Sequence, residues 1–248
     1  MGPEEYKVFR RESNRTTGNW ASEADDAKIF GNLLKNKGTY WPDLFLQDGR
    51  QSDYQLGIST GTEKTNFYLS LGLFNEKGII AKDELNRYSI RANIDHKINK
   101  YFNIGTQNQI TYYAQALRFD PLGGANKLVP LEEPRDSAGN LILLINSGRN
   151  VNPLYDLEPN NYENNIRTTR AFTSAYVGIN ILENLSFTSN VGVNLTSTRE
   201  GLYAASQTNF RNGAQPLARY NAGNSLGINV ENILNYNVNA GKHNLTLT

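Results

Sequence analysis

Residues 226–238 read LGINVENILNYNV, and this stretch decides the fold. Leucine, isoleucine, valine and tyrosine occupy the even positions, glycine, asparagine and glutamate occupy the odd ones, and only Asn232 and Ile233 interrupt the alternation. Because successive side chains of a β-strand point to opposite faces, a period of two predicts a strand with one apolar and one polar face.

The same alternation recurs along most of the chain. Further strands are predicted near residues 6–10 and at 54–60, 67–74, 87–95, 102–113, 169–181 and 185–195, with an unfinished one at 244–248. The longer runs reach roughly 10 to 15 residues, more than the usual 5 or 6 of strands in soluble proteins and enough to cross a bilayer at a tilt. Their second face carries small polar residues, as in a crowded, wet barrel interior. This accounts for much of the unusually high content of 34 Asn.

The connections between these runs alternate between short and long. The short ones are residues 61–65, 97–100, 183–184 and 240–242, and the long ones are 75–86, 116–167 and 200–225. Outer-membrane barrels have short turns on the periplasmic side and long loops outside. The pattern therefore predicts an all-β fold: an antiparallel up-and-down transmembrane β-barrel segment of about eight to nine strands.

Two elements are predicted in the outer loops. Ser22 and Asp25 have the spacing of a capping box, and apolar residues then follow at helical spacing, so residues 22–37 are predicted to form one short amphipathic helix. Within the longest loop, the turn residues 135–140 precede an apolar run at 141–145, which predicts a small hairpin.

Composition excludes several classes of function. The chain of 248 residues has 25 Lys and Arg against 24 Asp and Glu, so it lacks the basic surface of a nucleic-acid binder. It contains no Cys, and its two histidines, His96 and His243, lie apart beside predicted turns. These features exclude thiolate zinc sites and His-rich metal clusters, and no cofactor is predicted.

A resemblance to a known family rests on residues 39–43, TYWPD, and residues 54–80, YQLGISTGTEKTNFYLSLGLFNEKGII. Residues 87–95, RYSIRANID, and 25–30, DDAKIF, extend it. In these segments the sequence resembles the SusC/RagA family of TonB-linked outer-membrane transporters, and later strands resemble it more loosely.

The resemblance implies location in the outer membrane, in contact with its lipid, and a barrel of about 22 strands around a plug domain. It also implies TonB-driven uptake of oligosaccharides or peptides beneath a SusD-like surface lipoprotein. The sequence shows neither a plug nor a TonB-contacting segment. Residues 1–248 are therefore expected to be part of the barrel domain, with the plug absent and the barrel incomplete.

No constellation of residues predicts catalysis, so we expect a transport component rather than an enzyme. Aromatic residues in loops are the candidate ligand contacts, because a flat ring can stack on a sugar face or an apolar side chain. The candidates are Trp41, Tyr155, Tyr162 and Tyr203. The competing interpretation is that these rings pack the loops together or against the lid protein.

A second hypothesis is a soluble all-β ligand-binding module whose polar face meets water. Such strands are usually shorter and more charged on their exposed side. The two hypotheses differ in what covers the apolar face: hydrocarbon in a barrel, or a second layer of the same polypeptide in a sandwich.

Overall fold

The structure, a computed structural model, describes residues 1–240 and 243–248. Its long strands are β1 (Arg50–Gly61), β2 (Thr65–Lys77), β3 (Glu84–Lys97), β4 (Phe102–Ala116), β7 (Tyr162–Leu182), β8 (Leu185–Ala204), β9 (Leu217–Ala240) and β10 (His243–Leu247). These eight form one antiparallel sheet in the order β1-β2-β3-β4-β7-β8-β9-β10. Each strand thus pairs with the next long strand along the chain, which confirms the predicted up-and-down arrangement.

The register gives the sheet two chemically different faces. Leu71 lies opposite both Leu56 and Ile90, and Ile90 lies opposite Ile110, so apolar side chains form rows across neighbouring strands. The alternate positions carry Ser, Gly, Asn, Gln and Arg. One row shows the contrast: Ser70 lies opposite Arg91 on the polar face, one residue away from the apolar row. We call the apolar face the outer face and the polar face the inner face.

The outer face is open to its surroundings. Leu56 is 63% exposed and Ile228 is 65% exposed, although both lie mid-strand, and no second layer of the described chain covers them. In a sandwich these side chains would be buried against a facing sheet. The structure therefore does not support the soluble-module hypothesis, and the outer face has the character of a surface solvated by hydrocarbon.

The connections confirm the predicted parity. Residues 62–64, 98–101 and 183–184 form short turns at one end of the sheet, whereas 78–83, 117–161 and 205–216 form the long connections at the other. Register agrees, since Arg50 pairs with Lys77 and Tyr162 pairs with Ala204 at the long-loop end. The predicted turn at 240–242 falls partly outside the described residues.

Three strands are longer than predicted: β7 has 21 residues, β8 has 20 and β9 has 24. At about 3.3 Å per residue, 20 residues extend roughly 66 Å, more than a strand tilted by about 45° needs to cross 30 Å of hydrocarbon. These strands therefore continue beyond the bilayer at the loop end. The sequence does not predict this extension, because the alternation of apolar and polar residues fades where both faces meet water.

The strand predicted at residues 6–10 is wrong. That segment lies in an α-helix, α1 (Pro3–Arg15). Pro3 occupies the first turn, the backbone N–H of Gly2 donates to Glu5 Oε2 at 2.9 Å, and Arg15 stands in the last turn. Pro at the start, acid in the first turn and base in the last all favour a helix over a strand.

The prediction of a single helix at residues 22–37 is correct at its start and wrong in its extent. Asp25 Oδ2 accepts from the backbone N–H of Ser22 at 3.3 Å, as the capping box predicts. The helix itself is a short α-helix, α2 (Asp26–Phe30), between 3₁₀ turns Glu23–Asp25 and Gly31–Lys35. Gly31 has φ of +54°, which ends the α-helical path.

The remaining helical elements also lie at the loop end. They are α3 (Pro121–Ala125) and the 3₁₀ turns Trp41–Phe45 and Pro153–Leu157. The predicted hairpin consists of an isolated bridge between Arg135 and Leu141 across the predicted turn. Residues 144–145, predicted as part of its second strand, instead form β5 (Leu144–Ile145), which pairs with β6 (Asn150–Val151) across a different turn. Across the described residues, no helix combines the length and apolarity needed to cross a membrane.

Candidate functional site

A polar groove runs across the inner face of β1 to β4. Its volume is about 240 Å³, and most of its side chains come from alternate positions of each strand, because only every second residue faces it. We call it the inner-wall groove. Its polar lining residues are Gln55, Tyr68, Ser70, Arg87, Ser89, Arg91, Gln109, Thr111 and Tyr113.

Two arginines of β3 dominate the groove. The guanidinium carbon of Arg87 lies 4.7 Å from the ring centroid of Phe74, and an Nη atom of the same residue lies 3.6 Å from Asp53 Oδ2. Arg91 donates from Nη2 to Gln109 Oε1 at 2.8 Å. Arg87 therefore has an ionic partner and an aromatic one, whereas the bond that positions Arg91 is to a neutral amide.

A third arginine adjoins the groove from β7. Arg170 lies opposite Thr111 in the register, and its guanidinium carbon is 5.4 Å from the ring centroid of Tyr113. Among the described residues, the lining of the groove includes Arg87 and Arg91 and no acidic residue, and Arg170 lies beside it, so this part of the inner face is positively charged. Such forked cations bind carboxylates and other planar anions with two parallel hydrogen bonds.

Glycines allow polar side chains to lie flat against the inner wall. A Cβ atom at Gly72 would come within 2.5 Å of Ser89 Oγ. Further along the wall, a Cβ atom at Gly105 would lie 2.6 Å from Asp95 Oδ1 and would overlap the ring of Tyr176. The Tyr176 hydroxyl donates to that same Asp95 oxygen at 2.7 Å. The absence of side chains at these positions widens the interior.

The loop end has its own packed core. Trp41, Phe45, Ala125, Leu128, Ile145 and Leu154 form one buried cluster. The Trp41 indole N–H donates to the Val129 carbonyl at 3.1 Å. Asn152, which is fully buried, donates from Nδ2 to the carbonyls of Pro134 at 2.9 Å and Ile142 at 3.0 Å. These contacts join the segment before β1 to the loop at 117–161, so this loop is folded around a packed core.

A buried acid joins the two longest loops. Asp156 Oδ1 accepts from the backbone N–H of Asn209 at 2.7 Å, while its Oδ2 is buried and has no hydrogen-bond partner among the described residues. Burial raises the pKa of Asp156 to about 7, and the nearby Arg118 guanidinium only partly opposes this shift. The carboxyl group is therefore partly protonated at neutral pH.

The four aromatic candidates lie in different environments in the structure. Trp41 is 1% exposed and Tyr162 is 4% exposed, so neither ring is accessible in this conformation. Tyr155 is half-buried, and its hydroxyl donates to the Leu141 carbonyl at 3.1 Å. Tyr203 is 40% exposed and lies opposite Glu163, on the outer face. The four rings do not form one site, and direct ligand contact by any of them stays a prediction.

The inner-wall arginines were not among the sequence-based candidates. The sequence nevertheless contains a signal for them, since Arg87 and Arg91 share the parity of Asn93 and Asp95 within one predicted strand. Their juxtaposition with Gln109 and Arg170 depends on the register across β3, β4 and β7. Local sequence patterns do not determine this register, because it also depends on the geometry of the connections between the strands.

Comparison with known proteins gives relatives in sequence and in fold. No family model matches the chain. TonB-dependent receptor P3 of Formosa agariphila is 26% identical over 222 residues, covering 84% of this chain and 22% of that protein. TonB-dependent receptor P39 of the same organism is 26% identical over 213 residues, covering 82% of this chain and 20% of that protein. The chain thus spans about a fifth of the length of these curated relatives.

Among solved structures, the RagAB peptide transporter matches with a TM-score of 0.76 at 17% identity, covering 99% of this chain and 31% of that one. The RagAB peptide importer in its open-open state matches with a TM-score of 0.74. The likeness to these structures shows a shared fold. Together these findings confirm the predicted resemblance: the chain is similar in sequence to part of two TonB-dependent receptors and similar in fold to part of the RagAB peptide transporter.

Proposed function

We propose that residues 1–248 form part of the barrel domain of a transporter that imports bulky nutrients, either oligosaccharides or peptides, across the outer membrane. The observation that carries this proposal is the sheet itself. Its eight strands have an exposed apolar face and a polar face, with every long connection among the described residues at one end. Such a wall supports passage along its polar side while its other side meets lipid.

In this proposal the energy comes from TonB acting on a plug, and both the plug and the remaining strands lie outside these 248 residues. A SusD-like lipoprotein closes the loop end. The solved structures with this fold include a peptide transporter and a peptide importer, and this supports import as the function. No covalent bond is made or broken, so the protein acts as a transporter and not as an enzyme.

The inner-wall groove is the part of this chain that faces the transported molecule or the plug. Its positive charge, from Arg87, Arg91 and Arg170, suits carboxylates such as those of acidic residues, peptide termini or acidic sugars. Arg91 differs from Arg87 in that its positioning bond is to the neutral amide of Gln109, whereas Arg87 pairs with the carboxylate of Asp53. The packed loop end, with Trp41 in its core, is the surface that meets the lid in this proposal.

Uptake by the full-length parent protein tests the proposal. Cells that carry the transporter should accumulate a fluorescent oligosaccharide or peptide, and loss of TonB should abolish this accumulation. Arg91→Gln should reduce uptake of acidic cargo severalfold. Arg211→Gln, in the loop at 205–216, removes the same charge away from the groove and should not. Recovery of the parent protein only in the soluble fraction, without detergent, would reject the proposal.

A further inference from the structure

Two arginines lie directly opposite each other on the outer face, where β7 and β8 leave the bilayer. Arg167 pairs in register with Arg199, and both side chains are exposed. Residues opposite each other in an antiparallel pair have Cβ atoms about 5 Å apart, and like charges in this arrangement are destabilising. Within residues 1–240 and 243–248, neither guanidinium forms an ion pair. Among the residues that the structure describes, the pair therefore has no ionic partner.

The position of the pair relative to the apolar band is fixed by register. Across β7, β8 and β9, the row Ala171, Leu195 and Leu226 ends the apolar band. The next outer-face row is Thr169, Ser197 and Asn224, and the row after that contains Arg167, Arg199 and Ala222.

Four residues separate Leu195 from Arg199, which is about 13 Å of strand and about 9 Å of height at a tilt of 45°. The polar zone beyond the hydrocarbon is about 5 to 7 Å thick. A long arginine side chain can bend back toward the membrane, so both guanidinium groups reach the level of the lipid headgroups.

The residues around the arginine pair form a cleft that suits an anion. The pair lines a cleft of about 590 Å³ with Asn165, Tyr203 and Tyr220, and the methyl side chain of Ala222 leaves space beside Arg199. The acidic group of the cleft, Glu163, lies two outer-face positions beyond Arg167, about 13 Å further along the strand and away from the bilayer. Its charge therefore favours an anion on the membrane side of the cleft.

We propose that Arg167 and Arg199 together bind a phosphate group carried by an anionic lipid of the outer leaflet. A phosphate supplies the missing counter-charge and accepts forked hydrogen bonds from both guanidinium groups, while the acyl chains of the lipid lie along the apolar band below. The site depends on the outer-membrane location of the sheet and is independent of the cargo.

The test uses the full-length transporter in detergent and bisphosphorylated lipid A as the probe, with bound lipid counted by native mass spectrometry. Arg167→Gln combined with Arg199→Gln should reduce lipid A retention by about tenfold or more, since two charged hydrogen-bond donors are lost. Arg170→Gln is the matched control: it removes the same charge from β7, on the inner face, and should retain lipid A as the unmodified protein does.

Three results would overturn the proposal. Equal retention by the double variant would show that only the acyl chains hold the lipid. Displacement of lipid A by an excess of inorganic phosphate would show that the site recognises free phosphate and not a lipid. If the double variant does not insert, Arg199→Gln alone replaces it, and unchanged retention by that variant would also overturn the proposal. Cargo uptake by the variant that lacks Arg167 and Arg199, measured in parallel, should be unaffected, so failure here is distinguishable from failure of the transport proposal.

Discussion

A charged side chain at the middle of the apolar band should strongly destabilise the fold when it lies on the outer face. It should destabilise the fold much less at the next residue, which lies on the inner face. Val191 is the central position, because the outer-face residues from Phe187 to Leu195 span roughly 26 Å of strand. Its register partners are Ala175 and Val230, neither of which can bind a charge. Val191→Arg should therefore cost about 2 to 4 kcal/mol of folding free energy, the usual cost of arginine at the midplane.

The adjacent residue supplies the control. Asn190 accepts a hydrogen bond from Ser174 Oγ at 2.7 Å and lies opposite Glu231 on the inner face. Asn190→Arg loses one hydrogen bond of about 1 kcal/mol and gains a carboxylate partner in a wet environment, so its net cost should be about 1 kcal/mol or less. Guanidinium unfolding of the full-length protein in lipid vesicles measures both variants. Equal destabilisation by the two substitutions would refute the assignment of the faces.

Three further predictions concern the loops and the inner wall. Because burial raises the pKa of Asp156 from 3.8 to about 7, its protonated form stabilises the folded loops; this stabilisation is complete below about pH 4 and is lost as the pH rises through 7, by up to about 4 kcal/mol. Hydrogen exchange of the loops should show this loss, and Asp156→Asn should remove the pH dependence. Trp41→Ala should destabilise the loop core by about 3 to 5 kcal/mol, detected as faster proteolysis of residues 117–161. Gly105→Ala should lower stability by about 1 to 3 kcal/mol, because its methyl group displaces Tyr176 from Asp95, and a denaturant midpoint equal to that of the unmodified protein would contradict this.

The strands within the bilayer are the part of the fold that the sequence predicts best. Between Leu226 and Val238 the environment changes from lipid to water at every residue, so composition records the face of each side chain except those of Asn232 and Ile233. The parity of the loops is predictable for a related reason, since turn residues such as Glu183 and Asn184 mark the tight connections.

Prediction fails where this alternation of environments ends. Beyond the bilayer both faces of β7 to β9 meet water, so residues such as Arg167 and Tyr220 carry no strand signal, and the sequence predicts loops there. At the other extreme, residues 6–10 are too few to separate a period of two from a helical period, and the deciding signals, Pro3 and Arg15, lie outside them. The loop core around Trp41 depends on contacts nearly 90 residues apart in sequence, which local patterns do not contain.

The arginine sites illustrate a further limit. Parity within a predicted strand places Arg91 on the polar face, whereas Arg199 lies beyond the predicted strand at 185–195. The neighbours of both arginines belong to adjacent strands. Pairing Arg91 with Gln109, or Arg199 with Arg167, requires the register, and a shift of one residue would reverse the faces. The function of such sites can be inferred only when the pairing of residues between neighbouring strands is known.

The most direct test of the central claim is a spin-label scan of β9 in the full-length transporter, reconstituted in lipid. These 248 residues contain no Cys, so single cysteines can be introduced at successive positions from Ser225 to Val230. Labels at the even positions, including Ile228, should collide with oxygen dissolved in the lipid, and labels at the odd positions, including Asn229, should collide with a water-soluble nickel reagent. Equal access of the nickel reagent to both sets, or shielding of the even positions from both reagents, would show that the apolar face does not meet hydrocarbon.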